Sequence, residues 1–129
     1  MTLYLLDADC IIDHLRMRPP ARAMVHRLDA QGDELCTSDV VLTEVYSGLY
    51  EPDRPAMERL LVGLRYLPTN ARAAIQAGVW RYQYRRIGRQ LATTDCLIAA
   101  TAYIHGAVLV TGNLRDFPMP EIAVLPLDE

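Results

Sequence analysis

Leu3-Tyr4-Leu5-Leu6-Asp7-Ala8-Asp9 opens the chain with a short apolar run that breaks off in acid. Such an unbroken apolar run reads as a strand buried on both faces, the kind found inside a parallel sheet. A carboxylate on the residue that ends such a strand is costly without a partner, so Asp7 needs a reason to be there. Just downstream, Ile11, Ile12 and Leu15 fall at helical spacing, which predicts a helix from near Asp9. Strand, acid, helix is the pattern that organises the rest of the chain.

Pro19-Pro20 stops that helix and opens the next, which is expected to run to about Gln31 with Gly32 as its stop. Glu34-Leu35-Cys36-Thr37 is short enough for a second strand, and Ser38 is placed to cap a helix carrying Val41, Leu42, Val45, Tyr46 and Leu49. Asp53-Arg54-Pro55 marks another helix start, and Tyr66-Leu67 suits a short strand. Asn70 caps a long helix reaching about Gly88. Thr93 or Thr94 caps a further one, with Leu97, Ile98, Thr101 and Ile104 inward and Gly106 ending it. Ala107-Val108-Leu109-Val110 is the clearest buried strand, and Ile122-Ala123-Val124-Leu125 is the last. Strands alternating with helices predict one α/β domain over residues 1–129: a three-layer α/β/α arrangement around a central, mainly parallel sheet.

The 129 residues suffice for one proper core, and 51% hydrophobic with 22% charged residues argues against long disorder. No apolar run approaches the roughly 20 residues needed to span a bilayer. The first residues lack the basic stretch of a secretory signal, so a cytoplasmic protein is expected. Cys10, Cys36 and Cys96 are odd in number and show no CxxC spacing, which makes buried free thiols the simple reading. His14, His26 and His105 form no ligand motif. The net charge is −3, against binding nucleic acid by bulk positive charge, and every one of the 13 basic residues is arginine.

In open parallel sheets, ligands bind beyond the carboxyl ends of the strands. Asp7 ends the first strand, with Asp9 two residues on. Glu44 lies in the second turn of the helix after the second strand, and Asp95 lies in the first turn of its own helix. Asp116 follows the Val110 strand by a short turn. Right-handed crossovers bring all of these to one edge of the sheet. Taken singly, Asp95 is an ordinary helix-start residue, Glu44 an ordinary solvated one, and Asp116 an ordinary turn residue. Taken together, they conflict: two carboxylates about 4 Å apart repel by roughly 4 kcal/mol at an effective dielectric of about 20. With no lysine to offset them, the natural counter-charge is a hard divalent ion. Oxygen ligands select Mg²⁺ or Mn²⁺ over zinc.

Four blocks carry these acids: Leu5-Leu6-Asp7-Ala8-Asp9, Leu42-Thr43-Glu44-Val45, Thr94-Asp95-Cys96-Leu97-Ile98-Ala99-Ala100-Thr101-Ala102 and Leu109-Val110-Thr111-Gly112-Asn113-Leu114-Arg115-Asp116-Phe117. In order and approximate separation they resemble the acidic blocks of PIN domains, and the short chain is similar to VapC-type toxins of bacterial toxin–antitoxin pairs. The resemblance implies a metal-dependent endoribonuclease with Asp7, Glu44, Asp95 and Asp116 as catalytic, metal-binding acids holding one or two Mg²⁺ or Mn²⁺ ions. Asp9 takes a secondary role, and Thr111 and Asn113 orient a metal-bound water. The family varies between the positions of Asn113 and Asp116 for its fourth ligand. The resemblance further implies RNA as substrate, a homodimer, and a small cognate antitoxin that enters the acidic groove.

Arg81, Arg85 and Arg89 recur at four-residue spacing, with Arg86 beside them and Trp80, Tyr82 and Tyr84 between. Such a strip suits phosphates and unpaired bases, or equally a solvated helix face with its aromatics turned inward. Two other readings remain. Asp7-Ala8-Asp9 after a strand imitates the nucleophile motif of haloacid-dehalogenase-type phosphatases, which generally also use a basic residue, most often lysine. A non-catalytic PIN-like module that binds RNA or a protein is the other.

Overall fold

The computed structural model of the chain describes residues 1–127. Among these residues one parallel sheet forms from β1 (Leu3–Leu6), β2 (Glu34–Ser38), β3 (Arg65–Leu67), β4 (Val108–Thr111) and β5 (Ala123–Pro126), in the order β3-β2-β1-β4-β5. Around it pack α1 (Ala8–Leu15), α2 (Pro19–Ala30), α3 (Asp39–Gly48), α4 (Arg54–Val62), α5 (Ala71–Arg86) and α6 (Thr93–His105). This is the expected three-layer α/β/α arrangement. The sheet is parallel throughout the described residues.

The strand order places β1 and β4 at the centre, and it reverses between them. From β1 the chain steps outward through β2 to β3, while β4 and β5 lie on the other side. A crevice opens at such a switch point, beyond the carboxyl ends of the two strands. Leu5, Leu6, Leu109 and Val110, from the two central strands, are all 0% exposed, as their unbroken apolar runs predict. The edge strand β5 is only partly covered.

Local chemistry sets where most elements begin and end. Ser38 Oγ accepts from Val41 N–H at 3.4 Å, and Asn70 Oδ1 accepts from Ala73 N–H at 3.1 Å, so both expected caps are in place. Gly32 and Gly106 adopt φ of 79° and 67°, the left-handed turn that glycine takes without a Cβ penalty. The start of α6 departs from expectation. Ala92 occupies the cap, and neither Thr93 nor Thr94 caps the helix with its side chain. Thr94 instead lies near Glu44, and its hydroxyl draws that acid's pKa down. The last two strands each start one residue later than the apolar runs suggest. Ala107 N–H is drawn back to the Ala102 carbonyl at 2.9 Å, and the register then pairs Val108 with Ala123. Cys10, Cys36 and Cys96 are free and buried.

Gly106 sets the exit from α6 into β4, and nothing lies within 4 Å of where its Cβ would stand. Gly106→Ala therefore meets only backbone strain and is expected to cost about 1 kcal/mol, with Gly106→Asn costing less. Urea unfolding of the three proteins measures this, and equal midpoints would show that the turn is not held left-handed.

Candidate active site at the sheet's switch point

Asp7 is 6% exposed and sits where β1 hands over to α1. Its backbone N–H donates to the Val110 carbonyl at 2.9 Å, which fastens the end of β1 to β4. Its side chain is held by two donors. Oδ1 accepts from Ala8 N–H at 2.9 Å, and Oδ2 accepts from the Thr111 hydroxyl at 2.7 Å. Thr111 Oγ1 in turn accepts from Asn113 N–H at 3.0 Å. Asp9 is held in the same manner, by Cys10 N–H at 2.8 Å and the Asn113 side-chain amide at 2.9 Å. The turn after β4 thus clamps both acids that follow β1.

The structure brings the other acids to the same place. Burial pushes Asp7 above the usual carboxylate range, and the charges of Asp95 and Glu44 push the same way, against the hydrogen bonds from Thr111 and Ala8. Asp9 is pushed up to about 6, by burial first and then by Asp7. Burial also raises Glu44, with the charge of Asp9 adding to it and the Thr94 hydroxyl opposing it. Asp95 is pushed up to about 6 by burial and by the charges of Asp116, Glu44 and Asp9. Residues separated by up to 88 positions, Asp7 and Asp95, therefore feel one another's charge, and no basic residue figures among the causes for these four acids.

Each predicted residue has a distinct station. Asp7 is buried, Asp9, Glu44 and Asp95 are half-buried, and Asp116 is exposed at the end of a single 3-10 turn, Leu114–Asp116. Among the described residues, no three Asp, Glu, His or Cys side chains are drawn close enough to share one ion. The acids act on one another's charge without closing on one point, and donors from the backbone, from β4 and from the turn after it fix Asp7 and Asp9. An open, all-oxygen donor set of this kind fits Mg²⁺, which usually binds through one or two carboxylates and keeps several waters. Thr111 and Asn113 are engaged with carboxylates, which makes them positioning residues.

The arginine strip divides. Arg81 is half-buried and its Nε donates to the Leu91 carbonyl at 3.1 Å, tying α5 to the segment before α6. Arg86 lies 5.7 Å over the Tyr82 ring and donates to its hydroxyl at 3.0 Å. Arg85 is exposed. Arg89 donates to the Arg115 carbonyl and lines a groove of about 430 Å³ with Gly112, Asn113 and Asp116. Trp80 is not available for a base. It continues the inward face of Ala73 and Ala77, is 1% exposed, and donates from Nε1 to Glu121 at 3.1 Å.

Two residues escaped the sequence reading. Thr94 reads as a helix cap from its position, and its nearness to Glu44 emerges only in three dimensions. Gly112 reads as a turn residue, yet a Cβ there would stand 3.4 Å from Asp9 Oδ2. Its place directly after the strand-ending Thr111 was the available signal.

An acid whose pKa folding raises holds its proton more tightly in the folded chain than in the unfolded one. For Asp95 the stabilising effect is complete below the ordinary aspartate value of 3.8 and is lost as pH rises through about 6. Without divalent metal, the thermal midpoint is expected to fall as pH rises from about 4 to about 7, and Asp95→Asn should raise the midpoint at the upper end. Calorimetry across that range checks both. A midpoint that rises with pH would mean that the acids are already compensated.

The pattern of a PIN domain matches residues 4–123. Ribonuclease VapC19 of Mycobacterium tuberculosis is 33% identical over 115 residues, 89% of this chain and 92% of that protein. Ribonuclease VapC10 of the same organism is 34% identical over 119 residues, 92% and 89% of the two chains. Among solved structures, VapBC2 of Rickettsia felis bound to a promoter DNA fragment superposes with a TM-score of 0.84 at 22% identity, covering 98% and 100% of the two chains. VapBC-1 of nontypeable Haemophilus influenzae gives 0.83 at 26% identity, covering 99% and 100%. With the family's pattern running from β1 into β5 and the fold shared end to end, the chain belongs to the PIN-domain family, among its VapC-type members.

Proposed function

We propose that this chain is a metal-dependent endoribonuclease, the toxin of a VapC-type pair, restrained by a small cognate antitoxin. The observation that carries the reading is the set of mutually perturbing acids at the β1–β4 switch point. Asp7, Glu44 and Asp95 with Asp116 would hold one or two Mg²⁺ or Mn²⁺ ions, and Asp9 would support them. Bound there, a hard cation supplies the Lewis acidity for in-line attack of water on a phosphodiester and offsets charge on the phosphate oxygens. The chain's own part is to fix the ligands before substrate arrives. Thr111 and Asn113 lock Asp7 and Asp9 in place, and Thr94 steadies Glu44. We take Asp116, whose charge acts on Asp95, for the fourth position because a carboxylate is the charged, harder ligand, while Asn113 donates its amide nitrogen to Asp9.

RNA as substrate follows from relatives that are named ribonucleases. The exposed Arg85 and Arg86 and the groove-lining Arg89 are the parts of the strip suited to its phosphates. Arg81, already bonded to a backbone carbonyl, would contribute charge only. An antitoxin partner is supported by solved VapBC structures that share the fold. A basic side chain inserted among these carboxylates would compete with the metal. A homodimer and a cytoplasmic setting complete the proposal, and no described helix is long and apolar enough to cross a membrane. The phosphatase reading accounts for Asp7-Ala8-Asp9 alone, whereas the PIN pattern takes in the acidic blocks from 4 to 123.

In protein shown to be folded, Asp7→Asn or Asp95→Asn is expected to lower Mg²⁺- or Mn²⁺-dependent RNA cleavage at least about 100-fold, the scale of losing one preorganised charge-stabilising group. Undiminished cleavage in either variant would reject the assignment. Asp116→Ala compared with Asn113→Ala then identifies the fourth ligand by which of them weakens metal binding.

A further inference from the structure

Two grooves meet at the turn after β4 and share a wall there, with Asp9 lining one and Asp116 the other. One, of about 430 Å³, carries Arg89, Arg115 and Asp116. The other, of about 630 Å³, lies between the α1–α2 junction and the turn after β4, and its charged lining is Asp9, Asp13 and Arg18. Gly112 and Asn113 line both. They form a saddle between the grooves, kept low because Gly112 has no side chain.

Arg18 is set at this groove by a built turn. Arg18 N–H donates to the Asp13 carbonyl at 2.9 Å and Met17 N–H to the His14 carbonyl at 3.0 Å, the paired closure that ends a helix in a left-handed residue. That residue is Met17, with φ of 61° and no glycine to relieve it. A non-glycine residue there costs about 1 kcal/mol or more. The Arg18 side chain is 61% exposed, and its contact with Asp13 is a 3.6 Å pair through Nε. So exposed a pair contributes little and leaves the guanidinium able to take another anion. Among the described residues its terminal nitrogens make no hydrogen bond.

We propose that a single-stranded polynucleotide crosses the Gly112–Asn113 saddle, with Arg18 gripping a backbone phosphate on one side of the cleaved bond and Arg89 gripping one on the other. The inference rests on the ribonuclease reading and adds to it a second phosphate contact, remote from the α5 strip. Asp9 and Asp13 share this groove, and a phosphate gripped by Arg18 would take the guanidinium from its weak 3.6 Å pair with Asp13. Grooves on both sides of the Gly112–Asn113 turn, one holding Asp9 and the other Asp116, suit cleavage within a strand; trimming from an end would need only one.

The test uses a fluorescent single-stranded RNA in Ca²⁺ for binding and in Mn²⁺ for cleavage. Arg18→Ala is expected to lower the slope of log affinity against log salt by about 0.7, the share of one single-strand phosphate. It should also raise KM about tenfold with kcat little changed, on the scale of one charge-assisted contact. Arg18→Lys should keep most of the slope, which separates lost charge from lost folding. Replacing single linkages by neutral methylphosphonates locates the contacts. The penalty of Arg18→Ala should vanish with the neutral linkage on one side of the cleaved bond, and that of Arg89→Ala with it on the other. An unchanged salt slope in Arg18→Ala, or both arginines coupling to the same side, would overturn the track. Wild type that binds with the full slope and never cleaves would sink the ribonuclease reading instead, and leave the groove contact standing.

Discussion

The carboxylate of Asp7 is the constraint around which the site is built. It sits almost fully buried at the point where the sheet order reverses, held by two bonds, from Ala8 N–H and the Thr111 hydroxyl, while the backbone N–H of the same residue is tied to β4. Hydrogen bonds to a charged group are worth about 1.5–3 kcal/mol each, enough to set against the desolvation of one carboxylate. They are not enough to set against several like charges as well. The same bonds that admit Asp7 therefore dictate where Thr111 must stand, and Thr111 dictates the path of Gly112 and Asn113. One buried acid thus fixes the geometry of a turn 104 residues away.

That chain of consequence explains what was legible in the residue order and what was not. The central strands announce themselves because β1 and β4 are buried on both faces and cannot tolerate polar interruption. The acids at the carboxyl ends announce themselves because such an end is where a parallel sheet opens. Boundaries governed by local capping, at Ser38, Asn70, Gly32 and Gly106, followed from residue type. The start of α6 did not: neither threonine caps it, and the Thr94 hydroxyl lies near Glu44, a residue 50 positions back. Trp80 shows the same limit. Its helical spacing to Ala73 and Ala77 was present in the sequence, yet a strip of arginines around it made the outward reading equally natural. Competition between a local and a distant partner has no signature in a single sequence.

Charge is distributed with the same logic. A net charge of −3 would discourage a polyanion if it were spread evenly. Here the acids are gathered at the switch point, where a hard cation would reverse their sign. Arg18, Arg89 and Arg115 line the grooves on either side. The exclusive use of arginine suits such a surface. A planar guanidinium holds a backbone carbonyl or an aromatic ring and still keeps its charge, as Arg81, Arg86 and Arg89 do.

The cost of this arrangement falls on the metal-free chain. Acids raised to about 6 at Asp9 and Asp95 store repulsion at neutral pH that the fold itself does not relieve. A protein selected for stability alone would replace one of them or place an arginine among them. Instead its arginines line the grooves beside the acids, and the donors inside are neutral hydroxyls, an amide and backbone N–H groups, which orient carboxylates without cancelling their charge. Donors of that kind leave the negative potential available to whatever cation enters. Were a cation to bind as proposed, any substitution that stabilises the empty site by removing a charge would weaken the hold on it, and the two effects should scale together across Asp7, Asp9, Glu44 and Asp95.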